Sequence, residues 1–483
     1  MRTINGTRAD ELLNRRLVSR QRWVIPLWVS LLGVSLRGAG RGAVWSARRW
    51  SITAPLLALA VIYLEWDWRA VVELVAAALV LGAVWRWLHP ASFGWVAGLV
   101  LGNWRLTIKY RRRWRGAMLG VGLLVTHRAR EYLPVIRRAR STRWTDTLTV
   151  RLLHGQTPEQ FALAAEGIRH VYGAHRCTVR ETKPGRVAVR FYTRDPLLKV
   201  VPALRPDPAP DLAALPLGLT EEGERYRLCL HGSHLAVAAA TGAGKSVVLW
   251  DLILSIGPLI RSGAVELWVI DPKGGMEMIF GRPLFTRYED TDLDAMAVLL
   301  EDAVAYQDAR TQRLKGTTRQ HTPSPEDPYV IVLVDEIASL TAYLLDRDLK
   351  RRIHTAFSLL LSKGRAPGFS VVAALQDPRK EVLPFRDLFP TRIALRLSEP
   401  DQVGMVLSDT ARDRGAVCDR IPLSLPGVGY VIREDDPTAV RVRFAHVTDD
   451  DIRAAVQEWT PPTWSGARCV VGADPERGEV SAR

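Results

Sequence analysis

The sequence predicts an α/β protein in three parts: an N-terminal transmembrane α-helical hairpin, a small α/β domain, and a larger domain with a phosphate-binding loop at its centre. Three observations lead there. From about residue 223, apolar strand-length runs alternate with helix-length ones, the pattern of a parallel sheet with right-handed crossovers. At 239–246 the run AATGAGKS stands between the short apolar strand LAVA and the helix-like run SVVLWDLILSI. Two apolar runs near the N-terminus, 51–66 and 71–87, are bracketed by arginine.

The N-terminal part is expected to span residues 1–145. SITAPLLALAVIYLEW and VVELVAAALVLGAVWRW are each slightly shorter than the roughly 20 residues that cross a bilayer, but flanking tryptophans lengthen the usable span. The expected helices are therefore about 51–68 and 70–88. Glu65, Asp67 and Glu73 cluster where the two meet, with a turn at Asp67, Trp68 and Arg69, while arginine crowds the outer ends. The positive-inside rule then puts both termini and everything after the hairpin in the cytoplasm of a bacterial cell, as a multi-pass membrane protein. The net charge of +15 resides in these flanks: residues 1–50 and 105–143 are strongly basic, and the rest is slightly acidic. The basic arms fit anionic lipid or DNA, and lipid is the simpler partner, since each cation near the surface gains about 1 kcal/mol. The apolar pieces 24–36, 93–102 and 116–125 are too short to span and suit the membrane interface. Four widely spaced cysteines with no CxxC pair indicate neither a zinc site nor a disulfide framework.

The small domain is expected at 146–200. TLTVRLLHG reads as a strand, 157–173 as a helix capped by Thr157 and ended by Gly173, and 176–194 as a hairpin turned at Pro184-Gly185. Five prolines between 202 and 216 suggest a stiff linker over 201–222. The larger domain then runs 223–460, closing with a hairpin of VGYVIRE and AVRVRFAHV and a last helix DDDIRAAVQEW. Residues 461–483, rich in proline and glycine, read as a flexible tail.

The chemistry follows from the loop. Backbone amides of Ala240, Thr241, Gly242, Ala243 and Gly244, with Lys245, Ser246 and Val247 at the helix start, would converge on ATP phosphates. Ala239 at the first loop position costs backbone freedom but no donor. Lys245 would reach the β- and γ-phosphates, and Ser246 would ligate Mg²⁺. YVIVLVDEIASL supplies the partner strand: Asp335 would hold Mg²⁺ through water, and Glu336 would polarise the attacking water, which makes the domain a hydrolase. Gln376, ending FSVVAALQD, is positioned to sense the γ-phosphate or simply to cap its strand.

With these residues in hand, the sequence resembles the FtsK/SpoIIIE family of DNA-pumping ATPases over about 146–460. The resemblance rests on ATGAGKS, VIDPKGGME, VLVDEIASL, KGRAPGFSVVAALQDP, PTRIALRLSEPDQ and PGVGYVIRE, in that order. It implies a RecA-like P-loop motor, a homo-hexameric ring threaded on double-stranded DNA, and a membrane tether. It also implies that Arg365, in KGRAPG, reaches a neighbour's γ-phosphate; a surface ion pair is the plainer alternative. Asp271 and Lys273 match the family's DPK turn and would shape the nucleotide pocket. Pore-facing cations should meet DNA phosphates without reading sequence. Arg379 and Lys380 are the best-placed candidates, against a solvated charge run.

Compact, arginine-rich proteins of this layout resemble actinobacterial conjugative-transfer members, so the expected function is ATP-driven movement of duplex DNA in conjugation or in chromosome or plasmid movement. The alternative is an ATPase of a protein-secretion system, although such proteins typically carry several ATPase modules where one is found here. With no helix pair for a winged helix after Trp459, target choice would fall to a separate DNA-recognition protein.

Overall fold

The computed structural model describes residues 61, 63–65, 68–127, 130–379, 382–436 and 438–461. The expected first membrane helix, the basic arm 1–50, Lys380 and most of the tail therefore lie outside the described residues. The chain divides at residue 108 into two compact units.

In the N-terminal unit, Trp68–Leu88 is one unbroken helix. Its 21 residues rise about 30 Å, the thickness of a bilayer core. Among the described residues it is the one helix long and apolar enough to cross a membrane, and none of its side chains is buried. Trp68 and Arg69 belong to this helix rather than to a turn. Pro90 starts a second helix, Pro90–Arg105, where a missing N–H costs nothing. The Trp85 indole donates to Ser92 Oγ at 2.9 Å and meets Phe93 edge-on, which fixes the corner.

The second unit opens with the helix Arg111–Gly120 and a small hairpin, β1 (Val125–His127) and β2 (Arg130–Tyr132). A four-stranded antiparallel sheet follows, in the order β3 (Val135–Ser141), β4 (Thr145–Arg151), β6 (Arg186–Tyr192), β5 (Arg176–Lys183). Two expectations change here. The sheet takes in 135–141, so the small domain begins before residue 146. The run 116–125 is no interfacial segment, because Ala117, Met118 and Leu123 are buried in this domain. Tyr110 explains the placement: its ring packs between Tyr172 and Phe191, and its hydroxyl donates to the buried Asp146 at 2.7 Å. The stretch 157–173 is two helices, Pro158–Leu163 and Ala165–Tyr172, with the Thr157–Gln160 capping box at the start and left-handed Gly173 at the end.

The motor is a ten-stranded sheet. Six parallel strands stand in the order β11 (Arg287–Glu289), β10 (Val265–Ile270), β12 (Tyr329–Val334), β13 (Phe369–Leu375), β9 (Leu235–Ala238), β14 (Thr391–Ala394). Antiparallel β15 (Val428–Arg433), β16 (Val440–Phe444), β7 (Leu215–Thr220) and β8 (Arg225–Leu228) complete it. The central strands are apolar on both faces because helices cover both, giving one buried cluster on each side. The expected linker is shorter than its prolines suggest, since 215–220 is already a motor strand. The helix after the loop ends at Ser255, just before Gly257-Pro258, and Gly257–Ser262 is a separate short helix.

A set of charges clasps the small domain to the motor. Arg176 pairs with Glu221 at 2.6 Å, donates to the Gly415 carbonyl at 3.1 Å, and lies over the rings of Tyr192 and Tyr430. Arg190 pairs with Glu222 and Arg441 with Asp195. At the same junction Gly223 has φ +78, and a Cβ there would fall 2.3 Å from the Trp144 indole nitrogen.

Candidate functional site

Parallel strands bring their carboxyl ends to one edge of the sheet, where ligands of such folds bind. Here β9 ends in the loop 239–244, β12 in Asp335 and Glu336, β13 in Gln376, and β10 in the turn from Asp271 to Met278. Ala239 is fully buried and donates its amide to the Leu375 carbonyl, so the first loop position belongs to the sheet and alanine is accommodated. Gly242 and Gly244 have φ of +71 and +98. At Gly244 a Cβ would meet the Gly427 amide at 2.8 Å, so both the backbone angle and the close approach require glycine. The helix Lys245–Ser255 then starts with its free amides towards the loop.

Lys245 is buried and donates to the Asp335 carboxylate at 2.5 Å and to the Asp335 carbonyl at 2.7 Å. Burial pushes the Asp335 carboxyl up, with the Lys245 charge pulling the other way. Asp335 Oδ2 is buried without a hydrogen-bond partner among the described residues. Glu336 lies 3.1 Å from the Lys273 ammonium, and its Oε1 accepts from the Gln376 amide at 3.4 Å. Burial alone would lower the Lys273 ammonium, but the carboxylates of Glu336, Asp335 and Glu277 outweigh it and leave it raised. Gln376 meets the loop itself, where Thr241 Oγ1 donates to its side-chain oxygen at 3.5 Å.

Two members of the site carry no sequence signal of their own. The Ser246 hydroxyl donates to Glu277. What brings Glu277 there is the turn: Gly274 and Gly275 have φ of +76 and +79, and the buried Asp271 carboxylate accepts from the amides of Lys273 and Met278. Arg396, just past β14, donates to the Thr241 carbonyl at 2.7 Å. Both lie in the quoted runs VIDPKGGME and PTRIALRLSEPDQ, but only the strand order shows that these runs end beside the loop. The donor set of Ser246, Asp335 and Glu277 is all oxygen, and the buried Asp335 Oδ2 has no hydrogen bond among the described residues, only the Lys273 ammonium at 3.9 Å, which fits a small hard cation such as Mg²⁺.

The remaining candidates lie elsewhere. Arg365 is at the opposite, amino edge of the sheet; it donates to the Gly232 carbonyl at 2.7 Å and faces Glu434 at 3.5 Å while half exposed. It therefore stands away from the nucleotide site of its own chain. Arg379 is exposed, with its guanidinium on Asp377.

A glycine-rich loop, a lysine–serine pair and a strand-end Asp–Glu at one sheet edge define a P-loop ATPase. The FtsK/SpoIIIE family model matches residues 210–284, and the actinomycete conjugal transfer protein N-terminal domain matches 77–193. The chain is an ATP-hydrolysing motor protein that resembles the FtsK/SpoIIIE family and its conjugative-transfer members. It is 29% identical to the transfer protein TraSA of Streptomyces ambofaciens over 70% of this chain and 84% of that one. It is 25% identical to the DNA translocase FtsK of Staphylococcus aureus over 46% of this chain, but spans only 29% of that protein's length. Among solved structures, the pCW3 conjugation coupling protein TcpA is similar at a TM-score of 0.49 and 18% identity, covering 72% of this chain and 99% of that one.

Proposed function

We propose that this chain is a membrane-anchored motor that uses ATP to move double-stranded DNA in conjugative transfer. The observation that carries the reading is the convergence of the phosphate loop, Asp335-Glu336 and Gln376 at one sheet edge, behind a domain of the conjugal-transfer type. In this mechanism the loop amides of 240–247 and Lys245 hold the triphosphate. Lys245 can turn from Asp335 to phosphate without leaving a bare buried charge, because the Asp335 carboxylate keeps the Lys273 ammonium at 3.9 Å. Ser246 and Asp335 would hold Mg²⁺, which would supply positive charge to the phosphates. Glu336 orients the attacking water, Gln376 senses the γ-phosphate, and Lys273 holds the Glu336 carboxylate in place.

Purified full-length protein should hydrolyse ATP faster when duplex DNA of random sequence is added. Lys245→Ala should lose ATP binding, whereas Glu336→Gln should bind normally and lose hydrolysis by about a hundredfold or more. No stimulation by duplex would remove the DNA-motor reading, and wild-type turnover by Glu336→Gln would remove the assignment of the base.

Glu277 accepts the hydrogen bond of the Ser246 hydroxyl, which would leave the oxygen lone pairs free for a metal. In titrations with a fluorescent ATP analogue, Glu277→Gln should raise the Mg²⁺ needed for half-maximal binding by about tenfold. Binding in EDTA should stay at the wild-type level; equal weakening with and without Mg²⁺ would make Glu277 a purely structural contact.

Arg365, at the far edge, acts on the nucleotide of an adjacent protomer in a homo-hexamer. Arg365→Ala should keep its nucleotide affinity, and mixing it with Lys245→Ala protomers should restore part of the ATPase activity. Strictly additive loss at every mixing ratio would separate Arg365 from a shared site.

The anchor is Trp68–Leu88, paired with the run 51–66 as a hairpin whose ends both face the cytoplasm with the motor. Arg379 and Lys380 line the DNA path, and a separate protein selects the target sequence. A reporter fused at residue 110 should be active only in the cytoplasm; activity outside would exclude the hairpin.

A further inference from the structure

The sheet of the small domain buries one face and leaves most of the other exposed, with only its Tyr192 end covered by the motor. Leu148, Val150, Val187, Val189 and Phe191 line the buried face. On the opposite face the row Thr145–Tyr192–Arg176 lies against the motor, and the strand pairings put three further cross-strand rows beyond it: Arg140–Thr147–Arg190–Thr178, then Arg138–Thr149–Ala188–Arg180, then Val135–Arg151–Arg186–Lys183. No carboxylate stands in these rows. Arg190, at the end nearest the motor, is matched by Glu222. Arg138, Arg140, Arg151, Arg180 and Arg186 are exposed, and among the described residues none of them forms an ion pair. The Asp436 carboxyl, held down mainly by Thr438, also feels the charge of Arg180 and is the nearest compensation for it.

This arrangement costs the chain stability. Arg151 and Arg186 are directly opposed across β4 and β6, and Lys183 is opposite Arg186 on the next strand, a like-charge placement that destabilises a sheet. Four strands at about 4.8 Å spacing confine the whole set within about 15 Å. A polyanion seated on the face removes that repulsion. These three further rows contain no aromatic side chain, so they offer no stacking platform for unpaired bases. Apart from Ala188 and the edge residue Val135 they contain nothing apolar, so they are not built as a hydrophobic docking face. What remains is guanidinium groups interleaved with threonine hydroxyls, donors suited to backbone phosphates and indifferent to base identity.

We propose that this arginine–threonine face is a second duplex-DNA contact of the chain, separate from the pore-facing loops, which grips the phosphate backbone beside the motor. The proposal rests on the duplex-DNA reading above. The charge clasp at Arg176, Arg190 and Arg441 couples it to the ATPase: the face is anchored to the motor at its Glu221–Glu222 end, so DNA held there keeps a fixed position relative to the sheet.

The test uses the full-length protein in detergent and a fluorescent duplex of random sequence, titrated over a range of KCl. Arg138→Gln, Arg140→Gln, Arg180→Gln and Arg186→Gln are combined in one variant. A control of equal net charge combines Arg261→Gln, Arg347→Gln, Arg351→Gln and Arg453→Gln on the motor surface. The face variant should bind duplex about tenfold or more weakly, and its log–log salt slope should shrink by up to about 3.6, at about 0.9 for each of the four phosphates that are no longer neutralised. Its basal ATPase without DNA and its subunit number should match wild type, and the control should bind as wild type. A salt slope equal to the control overturns the proposal. So does unchanged duplex binding with an altered subunit number, which would make the face a contact between protein chains, and so does a loss confined to single-stranded DNA. If the wild-type protein binds no duplex, the function proposed above fails and this face falls with it; if wild type and face variant bind alike, only the face is refuted.

Discussion

The buried bond between Lys245 and Asp335 ties together the two sequence segments on which the motor depends. Lys245 begins the helix after β9, and Asp335 ends β12; the two strands are separated in the sheet by β13. Removing either partner would leave an uncompensated charge in a site closed to water, a loss of several kcal/mol. The pair therefore requires β12, β13 and β9 to stand in register, and the register puts Glu336 and Gln376 beside the same loop. Asp335 Oδ2 accepts no hydrogen bond among the described residues and faces the Lys273 ammonium at 3.9 Å, so the carboxylate stands between the two lysines.

The same edge is closed from the other side by the turn after β10. Asp271 fastens both ends of that turn through amides, and two left-handed glycines bend it so that Lys273 and Glu277 flank the Asp335-Glu336 pair and Ser246. Charges at this edge alternate in sign: Lys245 and Lys273 against Asp335, Glu336 and Glu277. Such a network limits the desolvation cost of each member and can be rearranged as one unit, which a pocket that binds and releases a polyanion requires.

Outside the pocket, arginine serves three different purposes in this chain. Arg176, Arg190 and Arg441 are matched by acids and join the small domain to the motor. Arg396 supports the phosphate loop through a carbonyl. Arg138, Arg140, Arg180 and Arg186 have no matching acids and face outward. Total charge does not distinguish these uses; pairing does.

Local pattern alone was enough for the loop, the strand-end carboxylates, the capped helix at Thr157, the hairpin at Pro184-Gly185 and the closing β15–β16 hairpin, because each is specified by residues adjacent in the chain. The beginning of the small domain was not legible: 135–141 is so rich in arginine that it reads as a basic arm, and only its pairing with β4 makes it a strand. Prolines at 202–216 likewise hid a motor strand at 215–220, whose pairing with β16 is more than 200 residues distant. By itself the sequence determined the class of chemistry, since a phosphate loop and its carboxylates require particular residue types at short spacing. The tertiary structure decided which distant groups join them, bringing Glu277 and Arg396 to the loop and Arg365 to the opposite edge, because strand order and register are set by packing between segments far apart in the chain.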